Sequence, residues 1–358
     1  MKVAVLLHWN EGEDSGVFKK VVSQIHTWMA QGIHASVHVI SRRPHLNAWQ
    51  RHLGNCPLTF HLYRGVVRFG AWEAAVKAVQ AHHPDLVYHR YGLYMPQLKG
   101  LVRSFPLILE INTDDLKEYC LNANLRCWYN RLTRGLLLRK AAGLVFVTGE
   151  LAGLPHFARF RKLQCVIGNG VVLDDCPVLP PPRNRTPRLI FLGTGGQPWH
   201  GVDKVIRLAE RLPTWRFDLV GPTPGELGRI PGNVSVHGRL ERRGYEPVLA
   251  QADVALGTLA LHRKGMNEAS PLKVREYLAY GLPAIIAYRD SDFPRGSPLI
   301  LELPNTEHNV EENLSAIEAF VCEWMGQRVP RDGLSHLDVG IKEAQRIAFF
   351  REVLRRCR

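Results

Sequence analysis

The sequence predicts an α/β protein made of two tandem, doubly wound parallel-sheet domains. Short apolar runs of strand length recur along all 358 residues, with amphipathic stretches between them. The alternation restarts after a proline-rich break, and the length suits two domains of ordinary size. A composition of 46% apolar and 22% charged residues belongs to a chain that buries a core, not to a disordered or collagen-like one.

In the first half the apolar runs predict strands at 3–7, 35–40, 86–89, 107–111, 144–148 and 165–167. Helices are expected between them. Ser15 is placed to cap a helix over 17–30, a second runs over 74–81 into Pro84, and a long basic helix over 125–142 would end at Gly143. The stretch PVLPPPRNRTPR at 177–188 has five prolines and neither a helical nor a strand period, so it reads as a linker. Beyond it, strands are predicted at 189–192, 217–220, 234–237, 254–257, 284–287 and 299–303. The helix over 202–212 puts Val202, Val205, Ile206, Ala209 and Leu212 on one stripe, as a helix covering a sheet requires. The expected division is a first domain over 1–173, a linker over 174–188, a second domain over 189–330 and a tail over 331–358. The tail's basic amphipathic helix, 339–354, would pack back on the first domain. Two such units place a cleft at the carboxyl ends of their strands, where ligands bind in open α/β sheets.

Charge is concentrated in the first half: residues 1–173 carry 21 Lys and Arg against 10 Asp and Glu, whereas 174–358 carry 25 against 23. A basic face there would attract phosphate or anionic lipid. No apolar run approaches the roughly 18 residues of a membrane span, and the first run ends at His8 and Glu11 without the form of a signal peptide. The seven cysteines are odd in number and contain no C-x-x-C, which predicts neither a disulfide framework nor a zinc site. A cytoplasmic location is the expectation, with peripheral association on the inner membrane face.

The chemistry is concentrated in NEASPLKVREYLAYGLP at 267–283. Ser270 has the chemistry of an N-cap and Pro271 that of a first helical residue, while Gly281 and Pro283 close the other end. The amides of Leu272 and Lys273 would then project from the positive end of a helix, where phosphate binds. Glu268 and Glu276 flank that end eight positions apart. A nucleotide sugar on the helix end would offer ribose hydroxyls to Glu276 and sugar hydroxyls to Glu268, with Lys273 adding charge at the phosphates. Capping and surface pairing is the plainer role for either glutamate alone.

This segment resembles the E-x7-E motif of retaining GT-B glycosyltransferases of family 4, and SPLKVREYLAYGLP is similar to that family's wording. The resemblance covers most of the chain. Gly16 resembles the family's N-terminal glycine loop. VYHRYG, LILEIN, GLVFVTGEL and IGNGV look like its acceptor domain, and FLGTGGQPWHGVDKVI and LVGP resemble the opening of its donor domain. It implies the GT-B fold and transfer of a sugar from a nucleoside diphosphate to an acceptor hydroxyl with retained configuration. No metal or other cofactor is required. The resemblance also implies that Glu276 binds the donor ribose and Glu268 contacts the transferred sugar.

Two places depart from the family's pattern. Where many relatives carry an Arg and a Lys after the first donor-domain strand, this chain reads Gln197-Pro198-Trp199-His200-Gly201, so Lys273 with Arg263 would supply the charge at the phosphates. Where many carry a His after the fourth acceptor-domain strand, it reads Glu110-Ile111-Asn112, which leaves Asn112 as the candidate for contacting the sugar.

Other signals are set aside. Gly193-Thr194-Gly195-Gly196 fails the dinucleotide fingerprint, because its third glycine falls at Pro198; Gly195 and Gly196 read instead as a tight turn admitting a ligand beside His200. Asp290-Ser291-Asp292 reads as a polar turn rather than a metal motif. The histidines have no ligand spacing, and neither G-x-S-x-G nor a Walker A sequence occurs. Arg126, Arg131, Arg134, Arg139 and Lys140 interleave with Trp128, Leu132 and Leu136. No nucleic-acid fold accompanies them, and an anionic membrane or a lipid-diphosphate acceptor is the expected partner. The expected activity is therefore glycosyl transfer from a nucleotide sugar to a glycan or lipid-linked acceptor. The alternatives are a sugar-nucleotide epimerase or hydrolase of the same fold, or a binding subunit without turnover.

Overall fold

A computed structural model describes residues 1–12, 15–44, 46–120 and 125–357. The chain divides into two compact units, Met1–Asn169 with Val339–Arg358, and Gly170–Asp338.

The first unit is a seven-stranded sheet in the order β3-β2-β1-β4-β5-β6-β7. Its strands are β1 (Lys2–His8), β2 (His34–Ser41), β3 (Leu58–Leu62), β4 (Leu86–Arg90), β5 (Leu107–Ile111), β6 (Gly143–Phe146) and β7 (Leu163–Val166), all paired in parallel. The helices are α1 (Gly16–Ala30), α2 (Leu46–Leu53), α3 (Arg68–Ala81), α4 (Leu98–Ser104), α5 (Asp115–Cys120), α6 (Leu125–Leu138), α7 (Gly149–Gly153) and α8 (Pro155–Ala158). Ser15 caps α1 as expected, its hydroxyl accepting from the Phe18 amide at 3.2 Å. The sequence reading omits β3, an edge strand whose one fully buried side chain is polar, His61, so no apolar run announces it. One cysteine expectation is corrected: Cys120 and Cys127 form a disulfide. An odd count and wide spacing cannot reveal that the end of α5 meets the start of α6.

The second unit is a six-stranded parallel sheet in the order β10-β9-β8-β11-β13-β15, with a separate pair β12-β14. The strands are β8 (Arg188–Leu192), β9 (Arg216–Val220), β10 (Val234–Gly238), β11 (Val254–Leu256), β12 (Glu268–Ala269), β13 (Ala284–Ile286), β14 (Arg289–Asp290) and β15 (Ile300–Glu302). Around them lie α9 (Val202–Arg211), α10 (Arg242–Gln251), α11 (Leu272–Ala279) and α12 (Leu314–Trp324). The core stripe predicted for α9 is present, with Val205, Leu208 and Ala209 buried against Leu189, Phe191 and Phe217. The proline-rich stretch 177–188 is packed on this unit: the Leu179 amide donates to Tyr280 O at 2.9 Å, and Asn184 donates to Asp253 at 2.8 Å.

The last helix, α13 (Val339–Cys357), belongs to the first unit, although it is most distant from it in sequence. Phe349, Phe350 and Val353 enter the core, and the Trp28 indole donates to Glu343 at 2.7 Å. Arg346 is buried, donates to Glu343 and to the Tyr88 hydroxyl, and lies 3.6 Å from Glu110. Gly143, expected to end a helix, instead opens β6. A Cβ there would meet the Phe349 ring at 2.9 Å, so only glycine lets α13 lie this close to the sheet. Phe350→Ala is expected to destabilise the protein by about 3 to 5 kcal/mol. A change below about 1 kcal/mol in denaturant titration would show that α13 is not part of the core.

Candidate functional site

The candidate site in the second unit is built on the start of α11. The helix begins one residue later than the sequence suggests: Pro271 occupies the N-cap and Leu272 is the first helical residue. The Ser270 hydroxyl accepts from Arg275 at 3.0 Å, which helps to satisfy that buried guanidinium. Leu272 and Lys273 still occupy the first turn, where an amide has no intrahelical carbonyl to bond, and among the described residues neither amide has another partner.

The Lys273 ammonium is shielded from water without a hydrogen-bond partner among the described residues. It sits 4.2 Å from the centroid of the Phe191 ring, at the end of β8. Burial pulls its pKa from the ordinary 10.5 down to about 7. A desolvated cation beside free helix amides is a preorganised anion site.

The loop after β8 forms the adjacent wall. His200 Nδ1 bonds to Thr194 O at 3.1 Å, and the His200 carbonyl accepts from the Leu259 amide, so the loop is closed on itself and tied to the exit of β11. Burial, followed by the Lys273 charge, lowers His200 to about 3 and keeps the ring neutral. A Cβ at Gly195 would meet the Glu226 carboxylate at 2.3 Å, so the turn passes close under that side chain, and Gly196 is favoured by its φ of +69°. The structure brings Lys273, His200 and this glycine turn together.

Glu276 lies on α11, and its Oε1 accepts from the Tyr245 hydroxyl at 2.5 Å. Nothing in the sequence singles out Tyr245, because α10 lies thirty-odd residues away and only the fold supplies the contact. Glu268 lies in β12, whose partner β14 is held by the buried Arg275. That guanidinium donates to Asp290 at 2.6 and 2.7 Å and to Asp292 at 2.6 Å. The D-x-D read as a polar turn is therefore an ion-pair clamp behind the helix start.

Arg263 is corrected as a phosphate ligand. Its guanidinium is spent on Asp203 at 2.8 Å, Glu307 at 2.5 Å and Pro198 O at 3.0 Å, which leaves it no free donor. In the first unit, Gly16 is the exposed first residue of α1. Asn112 follows β5, accepts from Lys20 at 3.1 Å and donates to Glu110 at 3.2 Å; Lys20 also pairs with Glu110 at 2.8 Å. Asp114, Asp115 and His156 bring three ligand atoms within 4.8 Å of one another, but Arg134 neutralises Asp115 through two bonds of 2.7 Å.

Two parallel, Rossmann-like sheets in one chain define the class: the fold is GT-B. No protein-family model matches the chain, and no curated protein matches it by sequence. Solved structures match across nearly its whole length. Sucrose-phosphate synthase from Thermosynechococcus elongatus is 14% identical with a TM-score of 0.71, covering 98% of both chains. The lipopolysaccharide outer core galactosyltransferase WaaB, in its apo form, is 14% identical with a TM-score of 0.68, covering 98% of this chain and 99% of its own. Anabaena HepE in complex with UDP and glucose is 14% identical with a TM-score of 0.66, covering 97% of this chain and 99% of its own.

A lysine whose folded pKa is depressed costs stability when it is charged. That cost is fully present below about pH 7 and is relieved as pH rises from about 7 toward 10.5, where the unfolded chain binds the extra proton. Lys273→Met is therefore expected to melt above the parent at pH 6, by a margin that shrinks as pH is raised. A margin independent of pH would mean that the ammonium is solvated.

Proposed function

We propose that the chain is a glycosyltransferase that takes a sugar from a nucleoside diphosphate and passes it to an acceptor hydroxyl on a glycan or glycolipid, with retention at the anomeric carbon. The observation that carries this reading is the unpartnered, buried Lys273 ammonium beside the free amides of α11, with Glu268 and Glu276 on the flanking elements. The likeness to a fold solved with UDP and glucose supports it.

In this reading the diphosphate lies against the Leu272 and Lys273 amides and the Lys273 ammonium, which stabilise the charge that grows as the leaving group departs. The glycosidic bond to the diphosphate breaks, the acceptor oxygen bonds to the anomeric carbon, and the acceptor's proton passes to a leaving phosphate oxygen. Glu276, held by Tyr245, receives the ribose hydroxyls, and Glu268 receives hydroxyls of the transferred sugar. Asn112 contacts the sugar or acceptor. The reading asks for no metal ion, because lysine and helix amides supply the positive charge.

Membrane association is part of the proposal. On α6 the side chains of Leu125, Trp128, Tyr129, Leu132 and Leu136 fall on one stripe, and all are exposed, Leu132 at 79% and Leu125 at 86%. Arg126 and Arg131 lie on the same helix, with the Arg131 guanidinium 5.9 Å from the Trp128 ring centroid. An apolar stripe beside arginines suits an anionic bilayer surface.

Calorimetric titration with UDP tests the donor site. Glu276→Ala is expected to weaken binding by about 1.5 to 3 kcal/mol, the worth of a charged hydrogen bond, and unchanged affinity would remove Glu276 from the site. Proton NMR of the transfer product must show the donor's anomeric configuration. The membrane reading predicts that the full chain sediments with phosphatidylglycerol vesicles and that Leu132→Glu sharply reduces this; equal sedimentation of the two would contradict it.

A further inference from the structure

The first unit contains a cavity of about 350 Å³ at the carboxyl ends of its central strands, and among the described residues its lining includes four arginines and no carboxylate. Arg42 follows β2, Arg68 opens α3, Arg90 ends β4 and Arg126 lies in the first turn of α6. Four elements of the chain thus send a guanidinium to one small space.

Two of the four, Arg42 and Arg68, meet no acid among the described residues, and the Arg68 Nε is buried without a hydrogen-bond partner among them. Both guanidiniums stand over the same ring, that of Tyr63, at 5.6 and 6.0 Å from its centroid. Arg90 reaches Glu110 only at 3.5 Å, and that carboxylate already pairs with Lys20 at 2.8 Å and lies 3.6 Å from Arg346. His8, bonded to the Tyr63 hydroxyl at 2.6 Å, is kept neutral: burial and then the charges of Arg68 and Arg42 lower it to about 4. A cluster of like charges of this kind draws in an anion, which removes the repulsion among its members.

The donor count decides which anion. One carboxylate offers about four acceptor positions and is filled by one or two forks, whereas a phosphate spreads up to two charges over three oxygens and accepts from several directions. Four converging forks suit phosphate. Trp72 and Tyr119 add aromatic surface that suits the apolar face of a sugar ring. Arg126 also belongs to α6, the helix that exposes the apolar stripe, so the cavity and the lipid-facing surface share an element.

We propose that this cavity holds the phosphate group of a phosphorylated acceptor, with Arg42 and Arg68 as its principal ligands. The proposal rests on the glycosyltransferase reading for the word acceptor. The phosphate has two possible sources, a soluble sugar phosphate or a lipid-linked one.

The test uses the full chain carrying Lys273→Met, so that the donor site does not compete for phosphate. Calorimetric titrants are glucose 1-phosphate, glucose, glucuronate, and dodecyl phosphate below its micellar concentration. A phosphate-bearing titrant is expected to bind while glucose does not. In the double variant Arg42→Gln, Arg68→Gln the affinity is expected to fall at least about tenfold, with partial recovery in Arg68→Lys, and unaltered melting showing that the variants fold. Tighter binding of dodecyl phosphate assigns a lipid-linked source, and tighter binding of glucose 1-phosphate a soluble one. Equal binding of glucose or glucuronate, full affinity in the double glutamine variant, or no binding of either phosphate overturns the proposal. UDP titration of the parent chain separates the two readings: phosphate binding at the arginines without any nucleoside-diphosphate binding leaves the cavity assigned and removes the glycosyltransferase.

Discussion

The guanidinium of Arg275 holds the second unit's candidate site in place. It is wholly buried, as is Asp290, and its bonds run to Asp290, Asp292 and Ser270. A buried charge of this kind is tolerable only when every donor finds an acceptor, and removing one partner typically costs about 3 to 5 kcal/mol. The clamp has a positional consequence. Asp290 belongs to β14, β14 is hydrogen-bonded to β12, and β12 carries Glu268. Arg275 itself lies on α11, one residue before Glu276 and two after Lys273. One ion-pair network therefore fixes the two carboxylates and the ammonium relative to one another.

Much of this was legible in the sequence, because its signals were local. The stretch 267–283 places a helix start, two acids and a lysine within seventeen residues, and the helix forms within one residue of where Ser270 and Pro271 suggest. The alternation of apolar runs located the central strands of both sheets, since those strands are buried on both faces and read as continuous apolar runs. The features that escaped were those defined by contacts across the fold. β3 lacks an apolar run, the Cys120–Cys127 pairing depends on the approach of α5 to α6, and Tyr245 meets Glu276 from another helix. Arg263 shows the converse error. Its position in a loop before Glu268 suggested a ligand, but sequence could not show that Asp203 and Glu307 from distant segments already satisfy it.

The same contrast sorts the cations of each unit by their partners. Arg134, Arg275 and Arg346 are buried, paired with acids and therefore structural. Arg263 joins them through Asp203 and Glu307. Lys273 in the second unit and Arg42 and Arg68 in the first are different, since no acid among the described residues neutralises them, and aromatic faces of Phe191 and Tyr63 stand where a carboxylate would be. An aromatic ring attracts a cation by about 0.5 to 2 kcal/mol, far less than the repulsion or desolvation that a buried charge brings. It orients the cation without occupying its hydrogen-bond donors.

That substitution of a ring for an acid has a direct bearing on ligand chemistry. A carboxylate beside Lys273 would raise its pKa and stabilise the empty protein, but it would also compete with phosphate for the same ammonium and repel it. With the Phe191 ring beside it and no acid among the described residues, the lysine is poorly stabilised when charged, and an arriving anion gains the full interaction while restoring the proton. Binding and protonation are then coupled, and affinity for an anion at α11 must decline as pH rises through 7.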